Sequence, residues 1–313
     1  MKISVVIPLF NKGRHIKKTL QSALAQTFED FELIVVNDGS TDESESEVLA
    51  LTDARIRYFK TENQGVSAAR NFGISKSQGE LIAFLDADDW WKPWHLQKLS
   101  ELFSDFGQAG LFCMNYVRSY SETKNRVPKF IGLPEEFPWR GIVPDFFHSS
   151  YIDRIAWTSA VAVPKKILDE IGNFDENITL GAGEDLDLWI RIALKYPVAF
   201  DSEYSAYHNL SADNRMSLTQ TGHRSFALLD QFSREEKNNK SLKRFLDLYR
   251  AEFALKMKLA SDKRYDFYKR NIDSKNLCAK TRLLLALPGF ALRPIYRFKK
   301  FLESKDVEVS AYH

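Results

Sequence analysis

Three carboxylates follow a short apolar run in the segment AFLDADDWW. Asp86 and Asp88 are two residues apart, and Asp89 comes directly after them. Carboxylates, completed by phosphate oxygens and water, are the ligands with which proteins hold Mg²⁺ or Mn²⁺. Alternatively, these acids cap the helix expected from about Pro93, since Asp is favoured before a helix N-terminus. Three acids exceed what one cap needs. The sequence therefore favours a divalent cation at Asp86 and Asp88, with Asp89 as a cap or a support of the site.

A second polar cluster, NDGSTD, follows another apolar run and contains Asp38. Its composition is typical of a turn. A carboxylate that emerges from a buried strand is costly, however, unless it accepts hydrogen bonds. Asp38 is therefore a candidate acceptor for the imide N–H of uracil or for an amide edge of another base.

Two further clusters are predicted to lie on helices. In NQGVSAARNFG, Arg70 follows a run of small residues, and its planar guanidinium can bind a pyrophosphate, orient a carboxylate or form a surface salt bridge. In GAGEDLDLWIR, Glu184 and Asp185 begin a helix, where acids suit the helix dipole. Capping explains one of these two acids, so the pair indicates a further role.

A sheet must bring these clusters together, and the first part of the chain predicts one. Buried parallel strands read as continuous apolar runs. Such runs separated by helical segments indicate a doubly wound, largely parallel α/β sheet. Ligands bind beyond the carboxyl ends of such strands, so the polar clusters after the first, second and fourth strands are expected to converge. The expected strands are Ile3–Leu9, Phe31–Asn37, Ile56–Thr61, Glu80–Leu85 and Ala109–Tyr120.

The second part of the chain is less regular. Residues 121–156 are rich in Pro, Gly and aromatic residues, which predicts a long irregular segment facing the substrate. Regular structure is expected to return at Thr158–Val163 and to include a helix at Glu184–Lys195 and an extended segment at Val198–Tyr207.

The charge is divided unevenly along the 313 residues. The whole chain carries +2, but residues 1–223 hold 23 Lys and Arg against 31 Asp and Glu, while residues 224–313 hold 21 against 11. Cys113 and Cys278 match no metal spacing and are expected to be free thiols in a reducing compartment. No window reaches the roughly 20 apolar residues of a membrane span. The expected location is the cytoplasm.

The basic segment RLLLALPGFALRPIYRFKKFL is expected to be broken into short helices at Pro288 and Pro294. These helices either pack on the catalytic part or in a homodimer, or they dock residues 280–302 on the anionic inner face of a membrane. The second interpretation is slightly favoured. Nucleic-acid binding is not expected, because no recognition motif accompanies the charge.

Five motifs together resemble glycosyltransferase family 2, which has the GT-A fold. They are VVIPLFN, VVNDGSTD, ENQGVSAARNFG, GELIAFLDADD and GEDLDLWIR, in the family's order across about Lys2–Leu210. The resemblance implies an α/β, Rossmann-like, doubly wound and mostly parallel sheet flanked by helices. We expect a catalytic domain at 1–223, divided into a nucleotide-sugar half (1–120) and an acceptor half (121–223), and a basic helical extension at 224–313.

For the nucleotide, the resemblance implies that Pro8, Phe10 and Asn11 shape the pocket and that Asp38 reads the base, usually uracil. Arg70 would contact the diphosphate. The family commonly has Tyr where this chain has Phe10; Phe can still stack on a base but lacks the hydroxyl.

For the chemistry, the resemblance implies that Asp86 and Asp88 form the DxD motif that holds Mn²⁺ or Mg²⁺, with Asp88 as the direct ligand. Asp185, next to Glu184, would be the general base. His208 lies where many relatives place a third metal or diphosphate contact, although a core or surface histidine is equally expected there.

The expected activity is metal-assisted, inverting transfer from a nucleotide-sugar donor, a UDP-sugar, to a saccharide or lipid-linked saccharide in cell-surface polysaccharide synthesis. One base without a second carboxylate nucleophile agrees with a single displacement. A sugar nucleotidyltransferase is the main alternative, but it would carry a Gly-rich loop with Lys or Arg where this chain has PLFNKGRH. A DxD phosphatase would place that motif on its first strand. A non-catalytic carbohydrate-binding relative is disfavoured by the intact Asp86, Asp88 and Asp185.

Overall fold

A computed structural model of the protein describes residues 1–121, 123–213 and 221–304. The first half alternates strands and helices: β1 (Ile3–Leu9), α1 (Gly13–Leu24), β2 (Phe31–Asp38), α2 (Ser44–Leu49), β3 (Ile56–Thr61), α3 (Val66–Lys76), β4 (Leu81–Phe84), β5 (Trp90–Trp91), α4 (His95–Asp105) and β6 (Leu111–Ser119). The second half contains β7 (Asn125–Arg126), β8 (Arg140–Ile142), α5 (Phe146–Ser149), β9 (Val161–Pro164), α6 (Lys165–Ile171), α7 (Glu184–Ala193), β10 (Val198–Asn209), α8 (Lys240–Leu259), α9 (Tyr265–Lys269), α10 (Ala279–Ala286) and α11 (Gly289–Ser304).

The central strands form where the sequence is continuously apolar. Every residue of β2 is buried, and β1 is buried except at Pro8. Helices cover both faces of the sheet, so both alternating sets of side chains enter a core. On α1, Ile16, Leu20 and Ala23 are fully buried and form the stripe that packs on the sheet.

The sheet order is β3-β2-β1-β4-β9-β6-β10-β5. Strands β3, β2, β1 and β4 are parallel, and so are β6 and β10. The predicted α/β fold, with a central sheet flanked by helices and further helices at the C-terminal end, is confirmed. One feature departs from a simple parallel sheet: β9 lies antiparallel between β4 and β6. Apolar pattern alone does not encode strand direction, so this inversion was not predicted.

Strand β9 has a direct effect on the site, because the residues just before it lie at the carboxyl end of β4. The Oγ of Ser159 accepts a hydrogen bond from the backbone N–H of Asp86 at 3.0 Å and donates one to the carboxylate of Asp89 at 2.5 Å. Trp157 and Thr158 are thereby held beside the acids that follow β4.

Helix α8 packs into the same apolar core as α5 and α7. Phe245 lies 5.5 Å from Phe147 between ring centroids, and Phe253 lies 4.9 Å from Phe226. Arg250 is buried in α8 and pairs with Glu236 at 2.7 Å and Asp230 at 3.1 Å. These contacts attach α8 to the part of the chain that carries the sheet.

The two prolines of the basic segment behave differently. Pro288 separates α10 from α11, as predicted. The prediction that Pro294 also breaks the segment is wrong, because α11 runs through it. Pro294 lacks an N–H for the carbonyl of Phe290, but Phe290 is 78% exposed, so water can satisfy that group. Among residues 1–121, 123–213 and 221–304, no helix has the length and apolar content needed to cross a bilayer.

Candidate active site

Two of the acids that follow β4 pair with basic side chains in the structure. Asp86 accepts a hydrogen bond from Arg70 at 2.8 Å. Asp88 accepts one from the Nζ of Lys12 at 2.7 Å, from the loop that follows β1. Burial raises the pKa of Asp88, and the nearby ammonium of Lys12 opposes that rise. The loops after β1 and β4, together with helix α3, therefore bring Lys12, Asp86, Asp88 and Arg70 to one place.

Asp89 does not cap the next helix, so that part of the prediction is wrong. Helix α4 begins at His95 with Trp94 as its N-cap residue. The carboxylate of Asp89 instead accepts from Ser159 at 2.5 Å and from the backbone N–H of Asn209 at 2.8 Å. Its burial raises its pKa well above the usual value. Asp89 ties β9 and β10 to the loop that carries Asp86 and Asp88, and so supports the site.

Arg70 joins two of the predicted clusters. Its guanidinium is 3% exposed and donates to Glu184 at 3.1 Å in addition to Asp86. Burial alone would lower the pKa of Arg70, but the charges of Asp86 and Glu184 outweigh it and raise the pKa. Burial raises the pKa of Glu184, the charge of Asp185 adds to that rise, and Arg70 opposes it. Arg70 thus links the end of β4 to the start of α7.

We expect Arg70→Met to lower the free energy of unfolding by about 3–5 kcal/mol, because it would leave Glu184 buried without its cation. Arg55→Met is the matched control, since Arg55 pairs with Asp53 near the surface and should cost about 1 kcal/mol or less. Urea denaturation monitored by fluorescence measures both values. Equal losses in the two variants would show that Arg70 is not an essential charge partner.

Helix α7 separates the roles of its two leading acids. Gly183, with φ of 103°, precedes the helix in the left-handed region, where a residue with a side chain would be strained. Glu184 is 5% exposed and pairs with Arg70. The carboxylate of Asp185 faces the cavity and accepts hydrogen bonds from Arg154 at 3.3 Å and Thr158 at 3.4 Å. Asp185 is therefore the acid of this pair that a substrate hydroxyl can approach.

The support of Asp185 comes from residues that the sequence analysis did not single out. Arg154 lies 5.1 Å over the ring of Tyr249, which α8 contributes. Burial raises the pKa of Tyr249 to about 12, so its hydroxyl stays neutral. Arg154 falls in the irregular segment expected to face the substrate, and that expectation was the one signal pointing to it. No local pattern indicated that Tyr249 would reach the site.

His208 lies on β10, beside the acids. Its ring stacks on Trp157 at 3.9 Å between centroids, and the next residue, Asn209, donates its backbone N–H to Asp89. Both His208 and Trp157 line the cavity. The structure thus places His208 next to the acidic loop but in an aromatic stack.

The nucleotide-side predictions divide into residues on the cavity wall and one behind it. Asp38 lines the cavity while its carboxylate accepts from the backbone N–H groups of Gln64 at 2.9 Å and Gly65 at 2.8 Å. Phe10 is 42% exposed on the same wall. Asn11 does not line the cavity; its Oδ1 accepts from the backbone N–H of Thr41 at 2.8 Å and joins the loops after β1 and β2.

The predicted residues converge on one cavity of about 930 Å³. It runs from the ends of β1 and β2, past the end of β4, to α7 and α8. The predicted residues that line it are Pro8, Phe10, Asp38, Arg70, Asp86, Asp88, Glu184, Asp185 and His208. Trp90 and Trp91 lie outside it: Trp90 stacks on Tyr207 at 5.2 Å, and Trp91 donates to the carbonyl of Ser159 at 2.6 Å.

The carboxylates of Asp86 and Asp88 fit a divalent cation whose remaining ligands include phosphate oxygens of the substrate. Within the described ranges, no group of three or more His, Cys, Asp or Glu side chains is arranged to hold a metal. Asp86 and Asp88 offer two carboxylates, and Mg²⁺ is usually bound through one or two carboxylates plus substrate phosphates. A cation would have to compete with Arg70 and Lys12 for these oxygens.

Comparison with known proteins identifies the family. The model of glycosyl transferase family 2 matches residues 4–171, more than half of the chain. The chain belongs to this family.

Two curated relatives are also named glycosyltransferases. An uncharacterized glycosyltransferase of Rickettsia conorii is 29% identical over 219 residues, covering 69% of this chain and 35% of that protein. Glycosyltransferase GlyA of Streptococcus pneumoniae is 37% identical over 125 residues, covering 39% of this chain and 18% of that protein. The chain therefore spans about a third or less of the length of these relatives.

A solved structure extends the likeness over nearly the whole chain. Residues 1–349 of S. aureus TarS, in complex with UDP-GlcNAc, superpose with a TM-score of 0.61 at 16% identity, covering 95% of this chain and 92% of that one. At this identity the likeness shows the fold, and it includes the C-terminal helices.

Proposed function

We propose that the protein is an inverting, metal-assisted glycosyltransferase that moves a sugar from a UDP-sugar to a hydroxyl of a saccharide or lipid-linked saccharide. The observation that carries this proposal is that the Asp86–Asp88 loop and Asp185 line the same cavity. The fit of TarS, which was solved with UDP-GlcNAc, supports a nucleotide-sugar donor. Cell-surface polysaccharide synthesis is the proposed pathway.

The donor would lie along the ends of β1, β2 and β4. Phe10 offers an exposed ring on which a base can stack, and Pro8 and Asp38 complete that wall. The carboxylate of Asp38 accepts hydrogen bonds from two backbone N–H groups, which fix its orientation. The diphosphate would then reach Asp86, Asp88 and Lys12.

Transfer requires that the growing negative charge on the leaving diphosphate be neutralised. Asp86 and Asp88 would hold Mn²⁺ or Mg²⁺, which would supply Lewis-acid stabilisation of that charge when bound. Arg70 donates to the carboxylate of Asp86 at 2.8 Å and holds it in place. Lys12, released from Asp88 on nucleotide binding, can donate to a phosphate oxygen.

The acceptor hydroxyl would lie between Asp185 and the donor sugar. Arg154 and Thr158 hold the carboxylate of Asp185, so one oriented base accepts the proton as the hydroxyl attacks the anomeric carbon. The bond from that carbon to the diphosphate breaks as the new glycosidic bond forms, and the proton goes to Asp185. Attack from the face opposite the leaving group gives inversion.

We expect Phe10→Ala to raise the Kd of UDP about tenfold, because base stacking on an aromatic ring is worth roughly 1–3 kcal/mol. Phe10→Tyr keeps the ring and should change the Kd by about twofold or less. Calorimetric titration of UDP in the presence of Mn²⁺ gives both values. An unchanged Kd in Phe10→Ala would remove Phe10 from the base site.

The donor assignment is tested by a panel of UDP-, GDP- and TDP-sugars screened with Mn²⁺ for metal-dependent release of the nucleotide. The proposal expects release from at least one UDP-sugar and little from the others. Release of pyrophosphate from a nucleoside triphosphate and a sugar phosphate, without nucleotide release, would indicate a nucleotidyltransferase instead.

A further inference from the structure

The last two described helices expose large apolar side chains. Leu283 on α10 is 61% exposed, and Phe290 and Phe298 on α11 are 78% and 61% exposed. Leu292, on the opposite side of α11, is 4% exposed and packs into the core. One side of α11 therefore holds the helix on the protein, and the other presents phenylalanines to the surroundings.

Basic residues share the exposed side of α11. Phe290, Arg293 and Arg297 are spaced three and four residues apart, and Phe298 follows at the next position, so all four lie on one helical face. Arg282 on α10 is also exposed. We call the side chains of Arg282, Leu283, Phe290, Arg293, Arg297 and Phe298 the tail surface.

The tail surface is attached to the C-terminal end of α8. Lys258, near the end of α8, donates to the carbonyl of Leu285 at 2.6 Å, and Arg293 donates to Ser261 at 2.8 Å. Lys256, on the same helix, lines the cavity. The tail surface is thus attached to a helix that also contributes to the cavity wall.

We propose that the tail surface docks the protein on a bilayer that contains anionic lipids. Interfacial helices bury apolar side chains at the headgroup level and place Lys and Arg on anionic headgroups, which is the combination present here. Charge complementarity favours an anionic bilayer over a second copy of the protein, because two copies of the same basic surface would bring like charges together. Docking does not depend on the proposed transfer reaction, although it would bring a lipid-linked acceptor to the cavity.

The test is co-sedimentation of the full chain with vesicles of phosphatidylcholine alone or with about 30% phosphatidylglycerol. The wild type should bind the anionic vesicles at least about tenfold more tightly than the neutral ones. Phe290→Ser/Phe298→Ser should weaken binding about tenfold or more, because it removes the inserted side chains. The control Leu49→Ser/Phe137→Ser removes apolar side chains that are 62% and 68% exposed elsewhere, and should bind as the wild type does.

A variant with reversed charges distinguishes the insertion of apolar side chains from the attraction of basic residues to anionic lipids. Arg282→Glu/Arg297→Glu should remove the preference for anionic vesicles, whereas Arg234→Glu/Lys275→Glu, at exposed positions outside the tail surface, should leave most of it. Melting temperature and UDP binding confirm that each variant is folded. The proposal is overturned if the wild type does not bind vesicles or if both control pairs lose binding equally. It is also overturned if the phenylalanine variant abolishes a concentration-dependent dimer in ultracentrifugation while vesicle binding is absent.

Discussion

Asp185→Asn should lower kcat for transfer by roughly 10²- to 10⁴-fold while the Kd of UDP stays unchanged. The amide has the size of the carboxylate and can still accept from Arg154 and Thr158, but it cannot take the proton of the acceptor hydroxyl. Because Asp185 faces the acceptor side of the cavity, donor binding should not depend on its charge. Steady-state kinetics and calorimetry with UDP and Mn²⁺ measure the two effects.

Asp187→Asn is the matched control for this experiment. Asp187 lies on the same helix and pairs with Arg191 at 2.8 Å, on the side away from the cavity. Its replacement should lower stability but leave kcat per folded molecule close to that of the wild type. Normal turnover in Asp185→Asn would remove Asp185 from the base role, and an equal loss in both variants would point to a structural effect of α7.

The second large effect is expected from Asp88→Asn. We expect transfer to fall by about 10²- to 10³-fold, since Lewis-acid stabilisation of the leaving diphosphate is worth several kcal/mol. Raising the Mn²⁺ concentration should restore part of the rate, because Asp86 keeps one carboxylate for the cation. Rates measured over a range of Mn²⁺ concentrations give both results.

Lys12→Met controls for the ion pair that Asp88 makes in the structure. If Asp88 served chiefly to hold Lys12 at 2.7 Å, the two variants would lose activity equally. We instead expect Lys12→Met to reach half-maximal activity at a lower Mn²⁺ concentration than the wild type, because a competing cation has been removed, and Asp88→Asn to need a higher one. Equal losses without any response to Mn²⁺ would contradict the metal role of Asp88.

The strands and their shared site were predictable because both depend on local signals. Continuous apolar runs such as Ile3–Leu9 and Phe31–Asn37 identify buried strands, and the carboxyl-end rule then places Asp38 and Asp86 in one region. The match to the family model covers both of these residues. Local sequence pattern and sheet topology together therefore predict that these residues lie in one cavity.

The contacts that local sequence patterns did not predict depend on long-range packing. The pairing of Arg70 with Asp86 and Glu184 requires β4 and α7 to meet, although 114 residues separate Arg70 from Glu184. Tyr249 reaches the site because α8 packs across α5 and α7, and no signal near Tyr249 encodes that contact. Asp89 could be mistaken for a cap because its partner Asn209 lies 120 residues away.

These long-range contacts also hold the acids of the site in fixed orientations. Asp86 is held by Arg70, Asp89 by Ser159 and Asn209, and Asp185 by Arg154. Each candidate functional acid or its neighbour is thus fixed by a residue from a different element. Such orientation before substrate binding is what general-base and metal-assisted chemistry requires.

Metal-assisted nucleotide binding is tested most directly by the melting temperature of the wild type with saturating UDP, measured with Mn²⁺ and again after chelation with EDTA. We expect UDP with Mn²⁺ to raise the melting temperature by about 5 °C or more and UDP with EDTA to leave it almost unchanged. Equal shifts with and without the cation would contradict metal-assisted nucleotide binding at Asp86 and Asp88.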